Sequence, residues 1–457
     1  RKRLGVINMM DESVLYGRSL LKEDIPFLLT KDIEKQLNIK SAITTKGDKK
    51  ICTRCSTQLN LSKRYPCVCG STCLYCRECI NMGKVRECAS LYSIPDPCVF
   101  KPFDIPCLSW KGELSAQQRM ASNQINENIR NQKETILWAV AGAGKTEILF
   151  KGIQMALENN KRVCIASPRV DVCLELAPRM QKVFPEVSLV VLYGGVEEAF
   201  KYTQFVIATT HQLYRFQDAF DLLIIDEVDA YPFHMNKPLL FAAEKSRKKI
   251  SSLVYLTATP DKKMQSRIKN KKIEAVILPA RYHGFMLPVP QAQYQKNSLR
   301  MNKNIEKTRL IKHMKRLINQ KKKFLLFVPT ITLMEKLQPL LASLFLEISF
   351  ECVHSKDPLR KEKVLDMRKE NLDFLVTTTI LERGVTFANI DVLVWHSDHS
   401  VFTEAALVQI AGRVGRSSKY PKGNVTFYHE GWTRAMKRAI RQVKRMNRIA
   451  RSRGLIQ

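Results

Sequence analysis

The chain has 457 residues and a hydrophobic content of 45%, which is enough for two or three globular domains. Its formal net charge of +32, from 75 lysines and arginines against 43 acids, favours a polyanionic partner, either nucleic acid or an anionic membrane face. No apolar run reaches the roughly 18 residues that a membrane-spanning helix needs, and residues 1–10 lack the apolar stretch of a secretory signal. We therefore expect a cytoplasmic protein rather than a secreted or membrane-spanning one.

Cysteines are concentrated near the start of the chain. Residues 1–50 are polar and indicate no role, but all cysteines except Cys164, Cys173 and Cys352 lie within residues 52–107. Two CxxC pairs, separated by twenty residues, have the spacing of a four-thiolate zinc site. The predicted zinc ligands are Cys52, Cys55, Cys76 and Cys79.

Other cysteines in the same segment leave the ligand set open. They are Cys67, Cys69, Cys73 and Cys88. These residues could replace a predicted ligand or bind a second metal. Disulfides and inert buried thiols are the alternatives to zinc, and a reducing compartment disfavours the disulfides.

A proline-rich segment, 95-PDPCVFKPFDIP-106, follows the cysteines and reads as a linker because proline resists helix formation. From residue 112 onward, short β-rich runs alternate with helical stretches, and the pattern resumes after a basic connection. This alternation predicts an α/β fold with two parallel-sheet units in series. The predicted division is an N-terminal segment of unassigned role (1–50), a four-cysteine zinc module (51–94), a linker (95–111), an ATP-binding domain (112–290), a second domain (291–430) and a basic C-terminal helix (431–457).

The first α/β unit contains a phosphate-binding loop, 139-AVAGAGKT-146, directly after an apolar strand. Its glycines let backbone amides approach phosphate oxygens, the lysine neutralises charge, and the threonine hydroxyl can ligate Mg²⁺. An alanine stands at the position of the usual first glycine. The predicted nucleotide-binding residues of the loop are Ala139, Gly142, Ala143, Gly144, Lys145 and Thr146.

Paired acids follow the strand in 221-DLLIIDEVD-229. Asp226 is expected to hold Mg²⁺ and Glu227 to polarise the attacking water, because hydrolysis needs one group for the metal and another for the proton. The alternative is a solvated turn after a strand. Upstream, 114-LSAQQ-118 offers Gln118 as an adenine contact, although a simple helix N-terminus would have the same residues.

The segment 409-QIAGRVGR-416 in the second unit supplies arginines that can reach a γ-phosphate. An arginine from a second domain stabilises the charge that develops on the transferred phosphoryl group, and it ties activity to domain closure. Arg413 and Arg416 are the candidates, with Arg416 favoured. The alternative is ordinary basic surface.

The order of these motifs, with 257-TAT-259 and 377-TTTILERGV-385 between them, resembles a superfamily-two helicase or translocase over residues 112–430. The resemblance implies two tandem RecA-like domains and a nucleic-acid-stimulated ATP hydrolase. It also implies that Arg383 and Gly384 sense nucleotide and strand. The residues that it implies for coupling nucleotide state to domain closure are Thr257, Thr259 and Gln409.

A narrower resemblance covers almost the whole chain after residue 50. The four-cysteine module, 220-FDLLIIDEVDAYPF-233 and 403-TEAALVQIAGRVGR-416 resemble the ComFA family of late-competence DNA-uptake translocases. This implies ATP, Mg²⁺ and Zn²⁺ as cofactors, single-stranded DNA as the track, and a position at the inner face of the cell membrane. Implied partners are the membrane DNA-uptake channel, a phosphoribosyltransferase-like competence protein and a single-strand-loading protein.

Contacts with nucleic acid are less well specified. Two strongly basic stretches, 296–323 and 431–457, suit phosphate backbones but would also suit anionic lipid. Arg169, Thr210 and Thr378 fall where motors of this type touch the strand, although turn chemistry would also explain the first two.

Two other functions remain open at this point. An RNA helicase or a replication-restart DNA helicase would share the same core motifs. A binding module without catalysis is disfavoured because Lys145, Asp226, Glu227 and Arg416 are all present.

Overall fold

The computed structural model describes residues 11–27, 30–195, 200–296, 305–382 and 387–456. These residues form an N-terminal unit, two α/β lobes and a C-terminal helix. None of the helices in the described ranges is both long enough and apolar enough to cross a membrane.

The N-terminal unit consists of short elements around the cysteine-rich segment. They are β1 (Leu20–Leu21), α1 (Lys31–Gln36), β2 (Asn38–Ser41), β3 (Ile43–Lys46), β4 (Lys49–Cys52), β5 (Tyr65–Pro66), β6 (Thr72–Cys73) and β7 (Ser90–Ser93). The last strand, β7, lies between β1 and β2 in an antiparallel sheet, and β3–β4 and β5–β6 are hairpins. Strands from both sides of residue 51 therefore share one sheet.

Lobe 1 is a seven-stranded parallel sheet with helices on its faces. Its elements are α2 (Ala116–Arg130), β8 (Glu134–Ala139), α3 (Lys145–Glu158), β9 (Val163–Ser167), α4 (Val170–Val183), β10 (Leu189–Leu192), β11 (Phe205–Thr209), β12 (Phe220–Ile225), α5 (Lys237–Ser246), β13 (Arg247–Thr257), α6 (Lys262–Lys269) and β14 (Glu274–Leu278). The strand order is β10-β11-β9-β12-β13-β8-β14. Every residue of β9 and β11 is buried, as expected where helices cover both faces of a parallel sheet.

Lobe 2 repeats the architecture with six parallel strands. Its elements are β15 (Gln291–Tyr294), α7 (Arg309–Asn319), β16 (Phe324–Phe327), α8 (Ile331–Leu344), β17 (Phe350–Val353), α9 (Arg360–Arg368), β18 (Phe374–Thr377), β19 (Asp391–Val394), α10 (Glu404–Ala411) and β20 (Val425–His429). The strand order is β15-β20-β19-β16-β18-β17. The basic helix α7 buries Leu310, Met314 and Leu317 and turns its lysines to solvent. Two parallel-sheet α/β domains in series confirm the predicted fold class.

The C-terminal helix α11 (Arg434–Ser452) connects the lobes. Its first half packs Met436 and Ala439 into the core of lobe 2. Its second half packs Val443 and Met446 into the core of lobe 1. The helix is therefore part of both lobes, and its residues Arg438, Arg441 and Arg445 lie where the lobes meet.

The proline-rich segment predicted as a linker is packed along lobe 1. The buried carboxylate of Asp96 lies 3.5 Å from Arg162 Nη1 and 3.8 Å from Lys248 Nζ. The backbone amide of Cys107 donates to Glu158 Oε1 at 3.0 Å. These contacts hold the segment against lobe 1, so it is not a free tether.

Candidate functional site

The phosphate-binding loop lies at the C-terminal edge of the lobe 1 sheet. Strand β8 ends at the buried Ala139, and Gly142 and Gly144 have φ angles of +82° and +74° that favour glycine. These two turns allow α3 to begin at Lys145 with its first amides facing the loop, an arrangement suited to anions. Thr146 follows in the first turn of the helix.

The paired acids lie opposite this loop. Lys145 Nζ is 3.5 Å from Asp226 Oδ1, and the same oxygen accepts the backbone amide of Glu227 at 2.8 Å. Glu227 has a φ of +56°, a conformation that is strained for a non-glycine residue. Such strain persists only where the surrounding structure holds it, and it clusters at functional sites.

Gln118 lies beneath the phosphate loop. Its Nε2 donates to the carbonyl of Ala143 at 2.9 Å, and its Oε1 accepts the amide of Ser115 at 2.9 Å in a helix capping box. Both ends of the side chain are thus occupied within the protein, and it supports the loop. The adenine contact stays a prediction.

Two threonines connect the acids to the next strand. Asp229 accepts hydrogen bonds from the hydroxyls of Thr257 at 2.9 Å and Thr259 at 2.6 Å, and all three residues are buried. These bonds join the segment that carries the paired acids to the end of β13, and the coupling role of the two threonines stays a prediction. Gln409 lies buried in the last turn of α10, next to the arginine segment.

Lobe 2 brings its two arginines towards the acids. Arg413 is fully buried, and none of its guanidinium nitrogens has a hydrogen-bond partner within the described part of the chain. Burial, with the charge of Arg416 adding to it, lowers the pKa of Arg413 well below its usual value, while Glu227 and Glu382 oppose the shift. A buried cation without a partner is costly, so this position suits an incoming anion such as a phosphate.

Arg416 is partly buried, and its Nε donates to the carbonyl of Gly412 at 2.9 Å. Burial lowers the pKa of Arg416 below its usual value, and the charges of Glu175 and Glu227 oppose part of this shift. The charge of Glu227 therefore acts on the pKa of both arginines. This arrangement fits a nucleotide held between the lobes.

Arg281 is a residue of this interface that the motifs did not indicate. It is fully buried and donates to the carbonyls of Val414 at 2.7 Å, Gly412 at 3.1 Å and Ala141 at 3.2 Å. Burial, assisted by the charge of Arg416, lowers its pKa to about 9. One guanidinium thus joins the arginine segment of lobe 2 to the phosphate loop of lobe 1.

A cleft of 1050 Å³ lies between the lobes beside these motifs. Residues of the acid and threonine motifs line it, including Asp229 and Thr259. Its lining also contains the predicted nucleic-acid residues Arg169 and Thr378. The basic residues that α11 adds to the lining are Arg438, Arg441 and Arg445.

Arg169 joins the lobes by ion pairs. Its Nη2 donates to Glu382 Oε1 of lobe 2 at 2.6 Å, and its Nε lies 3.7 Å from Glu227 Oε2 of lobe 1. A second pair, from Arg360 to both carboxylate oxygens of Asp171 at 3.0 and 2.9 Å, joins the lobes nearby. Arg169 therefore connects the wall of the cleft to the candidate catalytic acid.

The remaining predicted residues of this group are Thr210 and Gly384. Thr210 is completely buried and is not among the residues that line the cleft, and its contact with nucleic acid stays a prediction. Gly384 and its neighbour Arg383 lie outside the described residues.

The structure brings the four predicted zinc ligands together. The Sγ atoms of Cys52 and Cys79 are 3.8 Å apart and those of Cys55 and Cys76 are 3.4 Å apart, with all four buried. A zinc ion bound at about 2.3 Å by four thiolates would place the sulfurs about 3.8 Å apart. The group therefore fits zinc in donor chemistry and in size, and none of the other cysteines enters it.

Comparison with protein families divides the chain into three matching parts. Residues 7–93 match the competence protein ComFA N-terminal domain. Residues 111–262 match the family described as type III restriction enzyme, res subunit, and residues 306–418 match the helicase conserved C-terminal domain. The two lobes therefore have the domains of an ATP-driven nucleic-acid enzyme of the helicase type.

Curated relatives extend the match over most of the chain. Competence protein ComFA of Bacillus subtilis (strain 168) is 42% identical over 382 residues, which are 83% of this chain and 82% of the relative. Competence protein ComFA of Streptococcus pneumoniae (strain ATCC BAA-255 / R6) is 37% identical over 423 residues, 91% of this chain and 95% of the relative.

Solved structures share the fold at low sequence identity. S. cerevisiae Dbp5 bound to RNA and ADP BeF3 has a TM-score of 0.51 at 14% identity and covers 73% of this chain and 92% of its own. Mycobacterium smegmatis helicase Lhr bound to single-stranded DNA and AMP-PNP has a TM-score of 0.52 at 17% identity, with coverage of 74% and 50%. At these identities, both similarities concern the fold alone.

Proposed function

The chain belongs to the competence protein ComFA family, and from that premise we propose that it hydrolyses ATP to move single-stranded DNA during the uptake of transforming DNA. The observation that carries the proposal is the shared wall of the two sites. Asp229, Thr259 and Arg169 line the cleft and at the same time contact the nucleotide motifs. A strand in the cleft and a nucleotide at the loop would therefore act on the same residues.

The placement of the nucleotide residues supports the roles that we propose for them. Lys145 and the amides at the start of α3 hold the phosphates. Thr146 and Asp226 are the residues that would hold Mg²⁺, which would neutralise charge on the phosphates. Glu227 accepts a proton from the attacking water. Arg413 and Arg416 stabilise the charge on the transferred phosphoryl group once the lobes are closed.

Arg169 offers a physical link between DNA binding in the cleft and ATP hydrolysis. In the described structure it is held by Glu382 and lies beside Glu227. A strand phosphate in the cleft competes with these carboxylates for the guanidinium, which is a preferred phosphate ligand. Its transfer to the strand leaves Glu227 available as the base, so DNA binding raises turnover.

Family membership also supports the remaining proposals about location and partners. The buried four-cysteine group holds a zinc ion that stabilises the N-terminal unit. The protein works at the inner face of the cell membrane with the DNA-uptake channel, a phosphoribosyltransferase-like competence protein and a single-strand-loading protein. Its excess of basic residues suits both DNA and an anionic membrane surface.

ATP turnover measured with different polyanions tests the function. Binding alone decides little at a net charge of +32, because any polyanion is attracted. We expect strong stimulation by single-stranded DNA, weaker stimulation by duplex DNA without ends and little by RNA. Stimulation should fall steeply with added salt because the contacts are mainly to phosphates.

Glu227→Gln is the matched control, since it retains the cleft but lacks the base. Stimulation by RNA equal to that by single-stranded DNA would contradict the DNA assignment and favour an RNA helicase. Turnover that no nucleic acid changes would contradict the coupling between the cleft and the nucleotide site.

A further inference from the structure

A second group of four cysteines lies apart from the predicted zinc site. Its members are Cys67, Cys69, Cys73 and Cys88. The Sγ atoms of Cys67 and Cys88 are 3.6 Å apart and those of Cys69 and Cys73 are 3.5 Å apart, with all four within 4.8 Å of one another. No cysteine belongs to both groups.

The sulfur separations limit the chemistry of this group. A disulfide would bring two sulfurs to about 2.05 Å, so these pairs are not disulfides. Four thiolates around one zinc ion at about 2.3 Å lie about 3.8 Å apart, close to the separations here and to those of the first group. Sulfurs this close to one another leave room for one ion and not for a larger cluster.

Packing does not explain why these thiols converge. Cys69 and Cys88 are exposed and Cys67 is partly exposed, whereas a cysteine that serves as a small apolar residue is normally buried. The surrounding loop also lacks an apolar core of its own, since Leu61 is 50% exposed and Val68 is 85% exposed. Segments of this kind commonly depend on a metal for their folding energy.

The backbone is arranged to present the thiols. In the loop of the β5–β6 hairpin, the amide of Cys67 donates to the carbonyl of Ser71 at 2.9 Å, and Gly70 turns the chain with a φ of +81°. Glu87, next to the fourth cysteine, accepts from Lys50 at 2.8 Å and pairs with Arg64 at 2.9 Å. These contacts tie the segment that carries Cys88 to the base of the hairpin.

We propose that Cys67, Cys69, Cys73 and Cys88 bind a second zinc ion, which makes the N-terminal unit a two-zinc module. The two ligand sets interleave along the chain. Two ligands of the first site are followed by three of the second, then by two of the first and one of the second. Each ion therefore closes a loop that contains ligands of the other, and the whole unit folds around both.

Metal analysis of the full-length chain, purified without chelators, tests the proposal. We expect about two zinc ions per chain, released together when a mercurial reagent blocks the thiols. Cys67→Ser/Cys88→Ser should lose one of them and should be cleaved faster by trypsin near Lys63 and Arg64. Cys98→Ser, which changes a cysteine outside both groups, should keep both ions.

The count on the unaltered chain decides the outcome even if the double variant fails to fold. A single zinc ion per chain, lost completely in Cys52→Ser/Cys55→Ser, would overturn the second site. Iron in place of the second zinc would also overturn it. Retention of two zinc ions by Cys67→Ser/Cys88→Ser would show that the second ion is held elsewhere.

Discussion

Replacing Arg281 by alanine tests whether lobe 2 must be held against the phosphate loop for turnover. The guanidinium donates to the carbonyl of Ala141 in the loop and to those of Gly412 and Val414 in lobe 2. Arg281→Ala removes these contacts together; the carbonyl of Gly412 keeps Arg416 as a donor, whereas those of Val414 and Ala141 lose the guanidinium. The lobes should then open more often, and Arg413 should be displaced from the acids.

The contacts indicate the size of the effect. A hydrogen bond from a charged donor contributes about 1.5–3 kcal/mol, but here one buried guanidinium makes all of them and its desolvation offsets part of the sum. We expect a net loss of about 3–4 kcal/mol in closure, in the lower part of the range for breaking a buried charged network. At about 1.4 kcal/mol per factor of ten, kcat/KM should fall roughly 100- to 1000-fold.

Steady-state ATP turnover with saturating single-stranded DNA measures this loss, and thermal unfolding checks that the lobes stay folded. Arg281→Lys keeps the charge but not the planar fork of donors, so it should recover only part of the activity. Arg267→Ala is the matched control, because this arginine of lobe 1 pairs with Glu134 away from the arginine segment. Near wild-type turnover in a folded Arg281→Ala protein would refute the reasoning.

Four further substitutions, one of them with a matched control, separate nucleotide binding, hydrolysis and DNA binding. Lys145→Ala should weaken nucleotide binding, whereas Glu227→Gln should keep ATP bound and lower turnover about 10²- to 10⁴-fold. Nucleotide-binding and single-turnover assays distinguish the two variants. Wild-type turnover by Glu227→Gln would show that the base is misassigned. Arg169→Ala should abolish stimulation by single-stranded DNA without changing ATP affinity, which a DNA titration of the ATPase rate checks. Arg441→Glu should weaken DNA affinity and flatten its salt dependence. Lys444 is an exposed residue of the same helix outside the cleft lining, so Lys444→Glu should have a smaller effect on both quantities. Equal effects of the two substitutions would argue against a DNA strand in the cleft.

Local features of the sequence were sufficient to predict the fold class and to locate the nucleotide motifs. Strands β8 and β12 each end in a run of four buried apolar residues, as expected where helices cover both faces of the sheet. Gly142 and Gly144 mark the turns of the phosphate loop because only glycine adopts those φ angles without strain. The two CxxC pairs were recognisable because metal ligands in knuckles lie close together in the chain.

Tertiary structure decided which side chains meet across long separations in the chain. Arg281 carries no motif, and only folding brings it to carbonyls more than a hundred residues away. Arg169 was predicted to contact the nucleic acid strand, but its pairing with Glu382 depends on how the lobes close. Likewise, the sequence left eight cysteines with several possible pairings, and the fold separates them into two groups of four. Spacing along a chain sets which residues are neighbours, whereas the packing of distant segments sets which charges and thiols end within bonding distance.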